Sequence, residues 1–453
     1  MEFELVIKNG NIITSTETTT ADIGINKGKI VRVGIGLSGQ NELDANGYYV
    51  IPGGIDPHVH LAMDAGSIRT TDDFRSGSIA AAFGGTTTFI DFVEPEQEET
   101  LSEALAKRRA QADGQTILDY GLHMTITNDA PDTLAEIPNI IQQGVRSFKT
   151  YLTYPGFMLN DEQLIRVLTA VTRSNGMTLC HAENRAAIEF LRKKMLDMGR
   201  RDPINHALSR PAATEIEAVT RVIALAEAAQ APLYVVHVST AGGARAVHEG
   251  RERGVQVWGE TCPQYLLLTQ EMLEKADFEG AKYVCSPPLR SSIDNQALWQ
   301  ALSEGWLTSI GTDHCPFNFS GQKDLGREDF TKIPGGMPGI EPRMSLIYEH
   351  GVRSKRITIN QWVDLCSTHP ARIFGLYPRK GSLQPGADAD IVIFDPNAKM
   401  VISPETLHEN VDYTPYNGFS VTGLPMTVLQ RGRVLIQNRE LATEPGVGQF
   451  IYR

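Results

Sequence analysis

Two histidines stand two residues apart in the stretch 54–60, directly after a short apolar run. On a β-strand, side chains two residues apart point to the same face. The imidazoles of His58 and His60 can therefore reach one metal ion if a strand ends at this point. The same pattern also occurs in purely structural strands, so a metal site requires further ligand-type residues at similar positions.

Short apolar runs recur along the middle of the chain, and helical patterns separate most of them. Alternation of strand and helix with right-handed crossovers predicts a parallel sheet, and eight repeats predict an α/β fold with a closed, TIM-like (β/α)8 barrel. A doubly wound open sheet is the alternative, but no Gly-x-Gly-x-x-Gly turn follows any run. The runs are 54–60, 86–92, 119–127, 145–152, 177–181, 232–238, 255–260 and 307–313, and the helical patterns include 101–112, 162–172, 214–229 and 295–303.

Both ends of the chain lack this alternation of strand and helix and show short strand patterns with tight turns such as Asn9-Gly10. Similar strand patterns return after Phe374. We therefore predict one small β-sandwich domain built from residues 1–52 and 375–453, and a barrel over residues 53–374.

Polar residues end five of the predicted barrel strands, where apolar side chains would be expected. In such a barrel the chemistry lies at the carboxyl ends of the strands, which meet at one mouth. Convergence of six residues from five strands is hard to explain by structure alone. The six candidates are His58, His60, Lys149, His181, His237 and Asp313.

Four imidazoles and one carboxylate suit zinc or a similar divalent ion. Four histidines are too many for one catalytic ion that keeps an open position, so two divalent ions are predicted. Lys149 is the odd member, because an ammonium would be repelled by two dications. Carboxylation by CO₂ would convert it to an anionic, bridging N6-carboxylated lysine. The alternative is a buried lysine paired with a carboxylate such as Asp313.

These residues lie in motifs that resemble the dihydropyrimidinase/hydantoinase (cyclic amidase) family of the metal-dependent amidohydrolase superfamily. The resemblance covers essentially the whole chain. The motifs are Pro-Gly-Gly-Ile-Asp-Pro-His-Val-His (52–60), Gly-Gly-Thr-Thr-Thr (84–88), Ser-Phe-Lys-Thr-Tyr-Leu-Thr-Tyr (147–154), His-Ala-Glu-Asn (181–184), Val-Val-His-Val-Ser (235–239), Glu-Thr-Cys-Pro-Gln-Tyr (260–265), Ser-Pro-Pro-Leu-Arg (286–290) and Thr-Asp-His-Cys-Pro-Phe (312–317).

The resemblance implies a hydrolase that opens the cyclic amide bond of dihydropyrimidines or 5-monosubstituted hydantoins and gives N-carbamoyl amino acids. It also implies a homotetramer. For the metals it implies that one ion is held by His58, His60 and Asp313, the other by His181 and His237, with carboxylated Lys149 bridging the two.

Four residues acquire roles through the same resemblance. Asp313 would carry a proton to the leaving nitrogen, and Tyr154 would donate a hydrogen bond to the developing oxyanion. Ser286 and Gly335 would contact the ring amide of the substrate, largely through backbone atoms. The family usually has Asn-Gly at Gly335-Gly336, so any side-chain contact at that position is lost.

The residues after the first histidine pair narrow the choice of substrate. Dihydroorotase-like relatives carry an arginine there for a substrate carboxylate, whereas this chain has Leu61-Ala62-Met63. Allantoinase stays an alternative, although Tyr154 at its spacing favours the dihydropyrimidinase/hydantoinase branch. A non-catalytic scaffold related to dihydropyrimidinase is disfavoured because all six candidate ligands are present.

The composition of the chain restricts which partners the protein can bind and where in the cell it is expected. The 453 residues carry a net charge of −12, which argues against a nucleic-acid partner. No apolar run is long enough for a membrane span, and no signal peptide is visible at the N-terminus. The five cysteines form no Cys-x-x-Cys pair, so we expect a reduced, cytoplasmic protein. The partner that the family resemblance implies is a small-molecule cyclic amide.

Overall fold

The protein is represented by a computed structural model that describes residues 2–453. Its strands are β1 (Phe3–Ile13), β2 (Thr18–Asn26), β3 (Lys29–Gly34), β4 (Gly39–Asp44), β5 (Tyr49–Pro52), β6 (Gly54–Val59), β7 (Asp64–Ala65), β8 (Ile68–Arg69), β9 (Thr86–Val93), β10 (Asp119–Thr125), β11 (Ser147–Tyr151), β12 (Met177–His181), β13 (Leu233–Val235), β14 (Val257–Thr261), β15 (Ser309–Ile310), β16 (Ile391–Val401), β17 (Ser420–Gln430), β18 (Arg433–Gln437) and β19 (Glu440–Leu441).

The α-helices lie mostly between the barrel strands. They are α1 (Phe74–Phe83), α2 (Leu101–Ala112), α3 (Pro131–Gln142), α4 (Asp161–Arg173), α5 (Arg185–Asp197), α6 (Ile204–Leu208), α7 (Ala212–Ala229), α8 (Ala241–Glu252), α9 (Pro263–Leu267), α10 (Ser292–Ser303), α11 (Arg343–Ile347), α12 (Ile359–Val363) and α13 (His369–Ile373). Within residues 2–453, no helix combines the length and the apolar character needed to cross a membrane.

The barrel prediction is confirmed. Eight strands pair in parallel in the order β15-β14-β13-β12-β11-β10-β9-β6, and each corresponds to one of the eight predicted runs. The first and last strands are joined by a parallel bridge between Val59 and His314, so the barrel is nearly closed. The carboxyl ends of all eight strands therefore face one mouth.

Local sequence explains where the helices begin. Thr100 and Glu103 form a capping box, in which the threonine hydroxyl accepts from the Glu103 N–H at 3.2 Å and the glutamate accepts from the Thr100 N–H at 3.0 Å. The helix α2 that follows has the predicted bounds. Asn160 caps α4 in the same way, and α4 begins one residue before the predicted start.

A separate sheet of nine strands is built from both ends of the chain, in the order β19-β18-β17-β16-β5-β1-β2-β3, with β4 beside β1. The short strand β5 pairs with β1 on one side and with β16 on the other. Residues from both ends, such as Ile12, Val50 and Ile391, pack in one apolar cluster. The β-rich unit from the two ends is thus present as predicted.

Two barrel strands are shorter than the apolar runs predict. β13 ends at Val235 and β15 ends at Ile310. Beyond them, His237 and Asp313 have φ angles of 39° and 51°, in the left-handed region. A strand cannot continue through this conformation, so both residues leave the sheet where their side chains enter the mouth.

Side chains complete the closure of the barrel between β6 and β15. Asp56 accepts hydrogen bonds from the Thr312 N–H at 3.1 Å and from its hydroxyl at 2.6 Å. The fully buried Arg343 donates to the carbonyls of Ile55 and Ile310, each at 2.8 Å. The guanidinium thus connects the first and last strands where backbone pairing is sparse.

We expect Arg343→Met to lower the free energy of unfolding by about 3–5 kcal/mol, because it leaves buried carbonyls without a donor and Asp56 without its cationic neighbour. Urea unfolding followed by circular dichroism measures this change. Arg353→Met is the control, since Arg353 is partly exposed and pairs with Glu349 on the surface; it should cost no more than about 1 kcal/mol. Equal effects of both changes would contradict the role of Arg343 in closure.

Candidate active site

All nine residues singled out by the sequence line one cavity of about 380 Å³ at the barrel mouth. The strand ends supply most of them, and the loops after β11, β14 and β15 supply the rest. Apolar side chains of Met63, Phe157 and Tyr151 complete the wall. The site residues are His58, His60, Lys149, Tyr154, His181, His237, Ser286, Asp313 and Gly335.

His58, His60 and Asp313 form a close group of possible metal ligands. The Nε2 atoms of both histidines lie 3.2 Å from Oδ1 of Asp313, and one donor atom from each residue lies within 4.8 Å of the others. Burial raises the pKa of Asp313, but the facing His58 and His60 outweigh it and hold the pKa below its usual value. The carboxylate is therefore ionised at neutral pH.

His181 and His237 face each other on neighbouring strand ends, with ring centroids 4.5 Å apart. Nε2 of His181 lies 2.8 Å from Oε2 of Glu183, which leaves Nδ1 as its free nitrogen. Burial lowers the pKa of both imidazoles, so both are neutral near pH 7. Neutral imidazole is the form that binds metal.

Lys149 is almost completely buried at the end of β11. Its Nζ lies 4.9 Å from the centroid of the Phe92 ring and 5.1 Å from that of Tyr151. Among the described residues, no carboxylate lies within 4.0 Å of this nitrogen, so an ion pair with Asp313 is not formed. Burial lowers its pKa to about 8, which makes the neutral amine accessible.

Tyr154 lies in the loop that follows β11 and has a φ of 69°. This backbone conformation is strained for a tyrosine and is typical of functional positions. Its ring centroid lies 5.0 Å from that of His181. Burial raises the pKa of the phenol, so the hydroxyl keeps its proton and can act as a hydrogen-bond donor in the cavity.

The sequence matches the model of the amidohydrolase family over residues 49–435. The D-hydantoinase of Geobacillus stearothermophilus is 49% identical over 99% of this chain and 96% of its own. The D-hydantoinase of Streptomyces coelicolor is 44% identical over 100% of this chain and 98% of its own. The chain belongs to the amidohydrolase family. The crystal structure of dihydropyrimidinase from Brevibacillus agri superimposes with a TM-score of 0.98 at 45% identity, covering 99% of this chain and 98% of that one.

Membership of the amidohydrolase family implies a binuclear site for divalent metal ions, and the donor set fits it. His58 Nε2 and His237 Nδ1 are buried and have no hydrogen-bond partner among residues 2–453, and His60 turns its Nε2 toward Asp313. Buried polar atoms without partners are rare, because each costs free energy. A cation between these rings and Asp313 would satisfy lone pairs that the protein leaves free.

Glu260 is an important residue of this amidohydrolase that the sequence reasoning missed. Its Oε1 lies 2.7 Å from Nδ1 of His58 and accepts the His237 backbone N–H at 3.1 Å, while Oε2 accepts from the Tyr234 hydroxyl at 2.9 Å. The carboxylate thus fixes the orientation of His58 and turns its Nε2 toward Asp313. A signal was available, since Glu260 also ends a predicted barrel strand.

Two further histidines lie near the candidate ligands and support the structure around them. His123, near the carboxyl end of β10, lies 2.6 Å from the Ser147 hydroxyl and 2.9 Å from the Pro57 carbonyl. His314 faces away from the cavity, with Nε2 at 3.0 Å from Asp72. The His123 ring thus holds the backbone next to His58, and the His314 ring accepts from the N–H groups of Gly339 and Ile340 on its other side.

We expect Glu260→Gln to weaken metal binding by about 10- to 100-fold, the usual effect of losing the carboxylate behind a ligating histidine. Competition with a chelator, followed by measurement of bound metal, gives this affinity. Glu304→Gln is the control, because Glu304 is exposed at the end of α10. Unchanged metal retention in Glu260→Gln would show that the carboxylate does not orient His58.

Proposed function

We propose that this amidohydrolase hydrolyses the cyclic amide bond of 5-monosubstituted hydantoins and dihydropyrimidines to N-carbamoyl amino acids. The observation that carries the proposal is the meeting of six ligand-type side chains with Tyr154, Ser286 and Gly335 in one cavity. The relatives named D-hydantoinase and dihydropyrimidinase, which match over nearly the whole chain, support the same reaction.

Two zinc ions are the metals that we propose for the site, because zinc suits a donor set of imidazole and carboxylate. Such ions supply a nucleophile by acidifying water and polarise the substrate carbonyl. His58, His60 and Asp313 would hold one ion, and His181 and His237 the other. Lys149, carboxylated on N6, would bridge them; its burial, its lowered pKa and its lack of an acidic partner support this modification.

The side chains themselves would move the proton and orient the ring. Asp313 is ionised and faces the cavity, so it can accept a proton from attacking water and give it to the leaving ring nitrogen. Tyr154 keeps its proton and can donate to the carbonyl oxygen as negative charge develops there. The peptide units of Ser286 and Gly335 would bind the ring amide.

The shape of the cavity favours a ring with one apolar substituent. A volume of about 380 Å³ leaves space beyond a small ring, and Met63, Ala65 and Phe157 line it. Residues 61–63, beside His58 and His60, include no cationic side chain that could bind a carboxylate on the substrate. This disfavours dihydroorotate, which carries such a carboxylate. Allantoin is the second candidate substrate, since it is itself a 5-monosubstituted hydantoin.

Two further proposals concern the state of the protein in the cell. We propose a homotetramer, on the strength of the resemblance to cyclic amidases. We propose a cytoplasmic location, because the five cysteines are buried and none forms a disulfide within residues 2–453.

A panel of five rings tests the reaction: hydantoin, 5-phenylhydantoin, dihydrouracil, allantoin and dihydroorotate. The zinc-loaded protein should hydrolyse 5-phenylhydantoin and dihydrouracil with the highest kcat/KM, and dihydroorotate least, because the cavity has no cation for its carboxylate. Chromatographic detection of the N-carbamoyl product measures each rate. Turnover confined to allantoin would replace the proposal with allantoinase, and turnover of none of the five would reject cyclic amide hydrolysis.

We expect Lys149→Ala and Lys149→Arg both to lose metal and activity, because neither alanine nor arginine can form the bridging carbamate. In the wild-type protein, ¹³C NMR after assembly with ¹³C-bicarbonate should show a carbamate carbon that is absent from both variants. Lys332→Ala, at an exposed lysine, is the control and should keep metal, signal and activity. A metal-loaded, active wild-type enzyme without the carbamate signal would overturn the assignment and leave the histidine ligands in place.

A further inference from the structure

Lys323 is a fully buried lysine outside the set of site residues described above. It lies in a short 3-10 helix, Lys323–Gly326, in the loop region after β15. Its Nζ donates to the backbone carbonyls of Val284 at 2.9 Å and Pro334 at 3.0 Å. The side chain therefore connects two segments that are 50 residues apart in the sequence.

The partners of Lys323 are unusual for a buried lysine. In the described part of the chain, no carboxylate lies within 4.0 Å of its Nζ, and burial lowers its pKa to about 7. A buried amine without an acidic partner is costly unless each of its donors is used. A neutral amine keeps two N–H groups, which match the two carbonyls. The environment of Lys323 thus favours a neutral amine that donates hydrogen bonds over a charged ammonium.

The two carbonyls belong to the segments that carry the proposed substrate contacts. Pro334 directly precedes Gly335, and Val284 lies two residues before Ser286; both Gly335 and Ser286 line the cavity. The Gly336 N–H also donates to the Val284 carbonyl at 3.1 Å. A Cβ placed on Gly335 would lie 3.1 Å from the Ser286 hydroxyl, so the two segments are in close contact beside the cavity.

Peptide geometry converts these hydrogen bonds into an orientation. In a trans peptide, the C=O of one residue and the N–H of the next point in opposite directions. When Lys323 binds the Pro334 carbonyl, the Gly335 N–H must point away from Lys323. His206 acts in the same way on the neighbouring segment, because its Nε2 lies 2.8 Å from the Cys285 carbonyl and fixes the Ser286 N–H.

The N–H groups oriented in this way are available for a ligand. Of the atoms in residues 2–453, none accepts a hydrogen bond from the backbone N–H of Ser286 or of Gly335. Two free backbone donors beside the candidate ligands are suited to the amide of a ring, which presents a carbonyl next to an N–H. Their direction would change if the carbonyls behind them were released.

We propose that Lys323 is a positioning residue, which holds the Gly335 peptide unit in the orientation that binds the ring amide of the substrate. Through the Val284 carbonyl it also anchors the segment in which His206 orients the Ser286 N–H. This inference rests on the proposed hydrolysis of cyclic amides. Since the peptide contacts exist both in the bound substrate and in the transition state, their loss changes KM more than kcat.

The test compares Lys323→Met and Lys323→Gln in the metal-loaded enzyme, with 5-phenylhydantoin and dihydrouracil as substrates. Methionine fills the space but has no donor, so KM should rise about tenfold or more for both rings, while kcat changes by less than about threefold. The glutamine amide restores a donor, although its chain is shorter, and it should recover a large part of the lost affinity. Metal content should equal that of the wild type.

Lys332→Met is the matched control, since it removes an exposed lysine from the same loop region; its KM should not change. A role of Lys323 in stability alone would lower the midpoint of thermal unfolding but leave KM as in the wild type, and that result would overturn the proposal. If Lys323→Met does not fold, Lys323→Leu decides, because leucine also lacks a donor, and a KM within twofold of the wild type would overturn the proposal equally. An inactive wild-type enzyme would instead show that the proposed function itself is wrong.

Discussion

Buried imidazole nitrogens without a protein partner are the constraint on which the rest of this structure depends. A buried polar atom that makes no hydrogen bond costs about 1–3 kcal/mol, and two such nitrogens lie at the barrel mouth, on His58 and His237. A divalent cation removes this cost by accepting the lone pairs. The arrangement is therefore expected of a metal centre, and a purely structural role of these histidines does not explain it.

The residues behind the ligands serve the same constraint. Glu260 occupies one nitrogen of His58, and Glu183 occupies one nitrogen of His181. Arg210 donates to Glu183 at 2.7 Å, so the carboxylate behind His181 is itself held in place. Each ring therefore has a fixed direction, and its remaining nitrogen faces the cavity. Lys323 would do for the substrate-binding peptides what these carboxylates do for the rings.

The positions of three site residues also require strained backbone conformations, which cost free energy. Tyr154, His237 and Asp313 all have positive φ angles, and each such residue costs about 1–3 kcal/mol. The surrounding fold must supply the compensating stability. Buried ion pairs also join the barrel to the separate sheet, where Lys380 contacts Asp119 at 2.6 Å and Asp390 at 2.7 Å.

The sequence by itself determined the repeating units and the ligand types. The spacing of His58 and His60, and the polar residues that end apolar runs at Lys149, His181 and Asp313, are local patterns of the chain. Strand and helix periods depend on neighbours a few residues away, and for this reason α2 and β12 have the predicted bounds. The domain boundaries, residues 1–52 with 375–453 and residues 53–374, stay a prediction.

Only the tertiary structure decided which side chains support the ligands and how the barrel closes. Glu260 and His58 are 202 residues apart in sequence, and Arg343 reaches strands at the beginning and the end of the barrel. Such contacts depend on strand order, on register and on the left-handed backbone at His237 and Asp313. No local pattern carries that information, because the hydrogen bonds that fix the site form only when distant parts of the chain pack together.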